Sequence, residues 1–362
     1  MAYLMILLVF APTIFIMAIT PYITRRTESF GVSIPEEIYE RFELVEFRKK
    51  YAIKTSLLGA ILLAMILLSG QIFNENTWMF IFMAGIIFFI IGSFLIYFQY
   101  HKRMKKMKSA SNWKQAKVVT TIIDTKFRNR KLTYSNGWFI ISLLLIVVTF
   151  GLTIIYYDRI PLKIPMQYGM NGEVTNWADK TYGSVFSLPL LQIFLLGLFV
   201  FLNAIIGRSR QQVDVANPEK SINQNVIFRR RWSMFSILSG SALIILFSCI
   251  QWSFIFPFNV QILMYASLIL TGCMVVGVII LSVITGQGGS RLKTAAGKEE
   301  EMINRDEDQF WKLGVLYFNR ADPAVWVEKR FGVGWTVNMA KPQAWLFLII
   351  ILAIPILITV FV

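Results

Sequence analysis

The chain alternates long apolar runs with short polar stretches, and the lengths of the runs predict the architecture. A helix that crosses roughly 30 Å of hydrocarbon needs about 20 apolar residues. Eight segments meet that length: about 3–20, 52–70, 78–98, 138–157, 186–206, 232–250, 261–285 and 343–361. The expected fold class is an all-α polytopic membrane protein with about eight transmembrane helices, and with short strands or irregular elements confined to loops. The first run has no Lys or Arg before Arg25 and lacks the basic n-region of a signal peptide, so it reads as an uncleaved span.

The runs divide the chain into a three-helix region (1–135), a helix–loop–helix unit (136–206), a two-helix hairpin (207–285), a segment at the membrane surface (286–342) and a last helix (343–362). Of the 36 Lys and Arg, 32 lie in the alternate loops 21–51, 99–137, 207–231 and 286–342, and 3 in the loops between them. The positive-inside rule then places the four basic loops in the cytoplasm and both termini outside, with 158–185 as the sizeable external loop. A composition of 56% hydrophobic and 15% aromatic residues excludes an ordinary soluble domain. The net charge of +15 is dispersed between spans and not gathered on one soluble module, so the lipid bilayer is the expected partner and direct nucleic-acid binding is not expected.

Each basic loop has its own expectation. After Pro35, the acidic Glu36, Glu37, Glu40 and Glu43 with apolar Ile38, Phe42 and Val45 predict a short amphipathic helix on the membrane surface. The β-branched series Val118 to Ile123 predicts a strand-like excursion. Arg229, Arg230 and Arg231 stand immediately before a span and read as stop-transfer charges. The stretch Trp311 to Pro342 is rich in Trp, Tyr and Phe, with turns marked at Asp322-Pro323 and Gly332-Val333-Gly334, and reads as a belt against the headgroups or the underside of the bundle.

Little of the chain resembles catalytic machinery. The predicted spans contain no Asp, Glu or Arg, and Gln192 and Asn203 are expected to hydrogen-bond between helices. Cys249 and Cys273 fall inside spans, and the sole histidine, His101, sits among basic residues, so no metal site or cofactor is expected. GQGGS at 286–290 lacks the ending of a phosphate-binding loop. The external loop 160–183 carries the chain's most distinctive pattern: Pro161 and Pro165 restrict the backbone, Gly169, Gly172 and Gly183 permit turns, and Glu173 and Asp179 are the carboxylates that acid–base chemistry would need.

The spacing of Ile160, Pro161, Ile164, Pro165, Gln167, Tyr168, Gly172, Trp177 and Lys180 resembles a recurring bacterial membrane domain of unknown function that is also found in the immunity protein for the sporulation-delaying toxin. The resemblance covers residues 136–183, and Gln167 stands where the family often has His. It implies an extracytoplasmic loop between two helices, a secreted peptide as ligand and a transcriptional repressor as cytoplasmic partner. The segment after Trp311 is similar to a second uncharacterised domain that accompanies the first, through Tyr317, Asn319, Asp322, Pro323, Arg330, Gly332, Gly334, Trp335, Thr336 and Asn338.

The expectation is thus a non-enzymatic protein of the bacterial cytoplasmic membrane, acting in peptide-toxin immunity or envelope-stress sensing. Pro161, Pro165, Gln167, Tyr168, Gly172, Glu173, Trp177 and Lys180 would shape or contact the ligand outside. Asn319, Asp322, Pro323, Arg330, Gly332, Gly334, Trp335 and Asn338 would serve the cytoplasmic side. The alternatives are a transporter or its accessory subunit, and a membrane enzyme acting on envelope precursors through Glu173 and Asp179.

Overall fold

The structure is a computed structural model that describes residues 2–111, 131–168, 173–212, 218–292 and 308–360. Its helices are α1 (Ala2–Ile23), α2 (Phe42–Ser69), α3 (Glu75–Ala110), α4 (Phe139–Ile155), α5 (Tyr182–Arg208), α6 (Pro218–Trp252), α7 (Val260–Thr285) and α8 (Pro342–Val360). Seven of them, α1 to α7, are long and apolar enough to cross a membrane, against the eight expected; the qualifying apolar stretch of α8, Pro342–Leu357, is shorter. The chain is a multi-pass membrane protein. Large side chains such as Ile87, Phe88, Ile141 and Ile269 point outward along the helices, as a hydrocarbon solvent requires.

Helix α1 packs on α2 and α2 on α3, while α4, α5 and α6 form a second trio, and α7 bridges α6 to α1. Helices α4 and α6 run in the same direction with a constant offset: Tyr134 faces Ser233, Ser142 faces Ser241 and Thr149 faces Ser248. The α5–α6 contact is close because Gly240 lies under the Phe199 ring, 2.6 Å from where a Cβ would sit. Several helices outrun their apolar cores. Helix α6 starts 14 residues before Trp232, so Arg229 to Arg231 lie inside a continuous helix.

Among the described residues, four small antiparallel hairpins lie in the loops. They are β1–β2 (Glu28–Ser29, Val32–Ser33), β3–β4 (Lys163–Tyr168, Val174–Asp179), β5–β6 (Trp311–Lys312, Leu316–Tyr317) and β7–β8 (Trp326–Glu328, Trp335–Val337). The β3–β4 hairpin joins α4 to α5 at one end of the bundle; the other three gather at the opposite, basic end.

The amphipathic helix expected after Pro35 does not form. A single 3-10 turn, Glu36–Ile38, buries Ile38, and Phe42 then opens α2 with its side chain exposed. The apolar spacing there belongs to two different elements. The expected strand at 118–123 lies outside the described residues.

Between β1 and β2 the two-residue turn Phe30-Gly31 takes positive φ at both positions (46° and 74°), the backbone of a tight primed turn. Phe30 holds that strained conformation because its ring is buried among Tyr51, Tyr100 and Phe331. Tyr97 Oη donates to the carbonyls of Phe30 (3.3 Å) and Leu313 (3.1 Å), and thereby ties this turn to the β5–β6 turn. His101 Nδ1 lies 2.8 Å from the Phe30 carbonyl, which can only accept, so Nδ1 carries the proton. The sole histidine is a structural donor, buried and not spread into the basic surroundings its sequence suggested.

Candidate functional site

The aromatic segment, expected against the headgroups or the underside of the bundle, folds as a cap on the basic end of the bundle, in contact with α1, α3, α5, α6 and α7 at or near their ends. Its β7–β8 turn passes through Gly332 (φ 92°) and Gly334 (φ 106°), values that favour glycine. The side chain of Gln287, just past α7, reads this turn completely. Its amide donates to the carbonyls of Lys329 (3.1 Å) and Gly334 (2.9 Å), and its oxygen accepts from the Gly334 amide (2.6 Å). Thr24, just past α1, accepts from the Gly332 amide at 3.0 Å.

Asn338 is fully buried and holds the outer turn of the cap. It donates to the carbonyls of Asn319 (2.8 Å) and Ala324 (3.1 Å) and accepts from the Asn319 and Ala340 amides. Asp322 accepts from Tyr317 Oη (2.8 Å) and pairs with Arg210 at 2.9 Å. Burial pushes the Tyr317 hydroxyl up to about 12, which keeps it a donor to that carboxylate at any ordinary pH. Trp335 packs on Phe228 of α6 at 5.4 Å between ring centroids. Of the residues singled out by sequence in this segment, Asn319, Asp322 and Asn338 share one network, Gly332 and Gly334 form the turn, Arg330 enters the ion cluster below and Pro323 remains exposed.

Beneath the cap lie two linked ion clusters. Glu328 accepts from Arg25, from Asn225 Nδ2 (2.9 Å) and from Arg229 Nη2 (3.3 Å), and the side chains of Glu328 and Arg229 are both 0% exposed. Arg229 also donates to the carbonyls of Ile206 (2.7 Å) and Ser209 (3.1 Å) and to Asn225. The stop-transfer reading of Arg229 is therefore corrected: its guanidinium turns inward to satisfy the C-terminal carbonyls of α5, whereas Arg230 and Arg231 stay exposed. In the second cluster Arg330 and Lys108 share Asp308, and Arg330 Nε stands 3.8 Å from the Glu28 carboxylate. Burial, aided by the nearby Glu328 and Asp308, outweighs Arg330 and Arg25 and pushes the Glu28 carboxyl up to about 7.

Arg25, Glu28, Asn225, Gln287 and Glu328 were not picked out as site residues by sequence, and Arg229 was read there only as a stop-transfer charge. Two signals were there to be read: the four-residue spacing of Asn225 and Arg229 on one helix face, and the Glu328-x-Arg330 pair just before a glycine-marked turn. Among the described residues, no three His, Cys, Asp or Glu side chains gather as metal ligands.

At the other end, the distinctive loop is a hairpin. Ile164 of β3 is completely buried against Ile160, Val185 and Phe254, which fixes the hairpin to the ends of α5 and α6. A reciprocal cap between Thr181 and Ser184 starts α5, and Ser184 Oγ also donates to the Asp179 carbonyl at 2.7 Å. Lys180 donates its amide to the Leu162 carbonyl (2.8 Å) and lays its ammonium over Tyr157.

Pro165 faces Trp177 and Gln167 faces Asn176, with a register shift between them. Pro161, Gln167, Glu173 and Trp177 are exposed, Tyr168 is half-buried, and Gly172 lies outside the described residues. Glu173 and Asp179 sit at opposite ends of β4, about 20 Å apart along the strand, too far to act on one bond.

A row of uncharged polar side chains connects the two ends through α4, α5 and α6. Gln251 Nε2 donates to Thr153 (3.2 Å) and to the Val185 carbonyl (3.1 Å) near the hairpin. Gln192 Nε2 and Thr149 then meet Ser248 (2.9 and 3.1 Å), Ser142 meets Ser241 (3.0 Å), and Asn203 meets Ser233 (2.6 Å) and Asn136 (2.6 Å). Ser233 is one helical turn from Arg229. Gln192 and Asn203 thus bond between helices, as expected.

Residues 144–193, spanning much of α4, the hairpin and the first part of α5, match a domain of unknown function (DUF1648), and residues 320–345, carrying β7 and β8, match a family of unknown function (DUF5808). Both matches fall on the segments that the sequence marked out. No curated protein and no solved structure matches the chain.

Proposed function

We propose that this chain is a non-enzymatic sensor or immunity protein of the bacterial cytoplasmic membrane, which meets a secreted peptide or envelope component at the β3–β4 hairpin and acts on a partner, such as a transcriptional repressor, at its basic end. The polar row is the observation that carries the reading. It runs from the base of the hairpin to within one helical turn of Arg229 inside the same three helices, and hydrogen-bond networks with two discrete arrangements are one means of coupling distant sites. The exposed Trp177 and Gln167 offer an aromatic and an amide contact for a peptide, on a hairpin held rigid by Ile164.

The test compares a deletion strain with strains carrying wild type, Trp177→Ala or Gln192→Leu at equal membrane abundance. Survival under secreted peptides and envelope-stress transcription should both require Trp177 and the polar row. If deletion alters neither, the reading is wrong.

One observation favours a second reading, transport. Gln192 and Gln251 are fully buried, yet each leaves its Oε1 without a partner among the described residues. A transporter would show substrate flux in proteoliposomes that Gln192→Leu abolishes; a sensor would show none.

A further inference from the structure

A recess of about 740 Å³ opens at the basic end between the segment leading into α4, the last turn of α5 and α6. Lys131, Arg208 and Arg230 line it, together with Tyr134, Asn136 and Asn203, and no carboxylate lines it among the described residues. None of the three cations has a carboxylate partner among the described residues. Among the described residues no carboxylate offsets their charge, whereas the neighbouring Arg210 and Arg229 are paired.

The recess is built, not frayed. Asn203 Nδ2 holds the Tyr134 carbonyl (3.0 Å) and Asn136 (2.6 Å), and Ser233 accepts from the Tyr134 amide (2.9 Å). The Arg230 guanidinium lies 5.3 Å from the Tyr134 ring centre, which sets its direction.

We infer that this recess binds the phosphate of an anionic phospholipid. Arginine forks and an ammonium match phosphate oxygens, and basic pockets between helices at a membrane surface hold such headgroups. Position selects a lipid over a free anion. Arg208 ends the apolar helix α5, and within the first two turns of α4 the side chains of Ile141 and Leu144 are exposed, offering a wall along which acyl chains lie. Exposed Trp138, at the start of that wall, is the residue type that anchors at headgroup level.

The experiment uses the full chain, purified and reconstituted in nanodiscs of phosphatidylcholine with increasing phosphatidylglycerol, and reads co-purifying lipid by native mass spectrometry and thermal unfolding in parallel. Wild type should retain phosphatidylglycerol in preference to phosphatidylcholine and unfold at a higher temperature with it. Arg208→Gln/Arg230→Gln should weaken retention by roughly thirtyfold, whereas Lys105→Gln/Lys106→Gln, which removes the same charge from the end of α3, should leave it unchanged.

Equal loss in both double variants would mean diffuse surface attraction and overturn the site. Displacement of the lipid by millimolar inorganic phosphate would mean a free-anion site and overturn the lipid assignment. Should the double variant fail to fold, Arg208→Gln and Arg230→Gln are tested singly, and a phosphatidylglycerol-induced stabilisation as large as in wild type would refute the proposal.

Discussion

Replacing Glu328 with Gln is the sharpest test of the clamp. The carboxylate is shared by Arg25 and Arg229, and Glu328 and Arg229 are shut off from solvent while Arg25 is only 13% exposed. Without the negative charge, the buried Arg229 guanidinium keeps its bonds to the Ile206 and Ser209 carbonyls but loses the Glu328 carboxylate that faces it. Removing one partner of a buried pair costs about 3–5 kcal/mol, so Glu328→Gln should lower the unfolding temperature by roughly 5 °C or more.

Arg25→Gln should cost less, about 1–2 kcal/mol, because Glu328 then still faces Arg229 and Asn225. Arg229→Met removes the charge but strands two carbonyls, and the Arg229→Met/Glu328→Gln double variant should be less unstable than the sum of the singles by about 2 kcal/mol. Thermal unfolding of the detergent-solubilised protein, followed through the fluorescence of its 10 Trp, measures all four. A Glu328→Gln variant within about 1 kcal/mol of wild type, or one more stable than Arg25→Gln, would refute the argument.

The pH dependence has a defined sign at Glu28. Its carboxyl titrates near 7 when folded and near 4.3 in an open chain, so the folded state holds the extra proton; its contribution is fully present below about pH 4 and is lost as pH rises to about 7. Wild type should lose up to roughly 3 kcal/mol over that window, and Glu28→Gln should flatten the curve of unfolding temperature against pH. Asn338→Ala strands the carbonyls of Asn319 and Ala324 and two amides, and should cost about 2–4 kcal/mol, with the cap opening to protease first. In a Cys249→Ser/Cys273→Ser background, Leu162→Cys on the hairpin should react with an impermeant thiol reagent from outside the cell, and Lys106→Cys on α3 only after the membrane is opened; the reverse pattern would invert the proposed orientation.

Run length and charge alternation were enough to expect a many-helix membrane protein, because apolar segments answer to the solvent and need no knowledge of their neighbours. Gln192 and Asn203 were legible for the same reason: an amide inside an apolar run must find a partner. Tertiary structure decided where the neighbours are. The amphipathic pattern after Pro35 split into a turn and a helix start, because Ile38 had a core to enter and Phe42 did not.

The loop over 160–183 became a hairpin because buried Ile164 anchors β3 while β4 pairs with it, a choice invisible in a run of prolines and glycines. Arg229 reads in sequence like the two arginines beside it. Only the fold shows that Glu328, 99 residues away, and the carbonyl ends of α5 turn one of the three inward, since a buried charge is stable only where distant segments bring its partners.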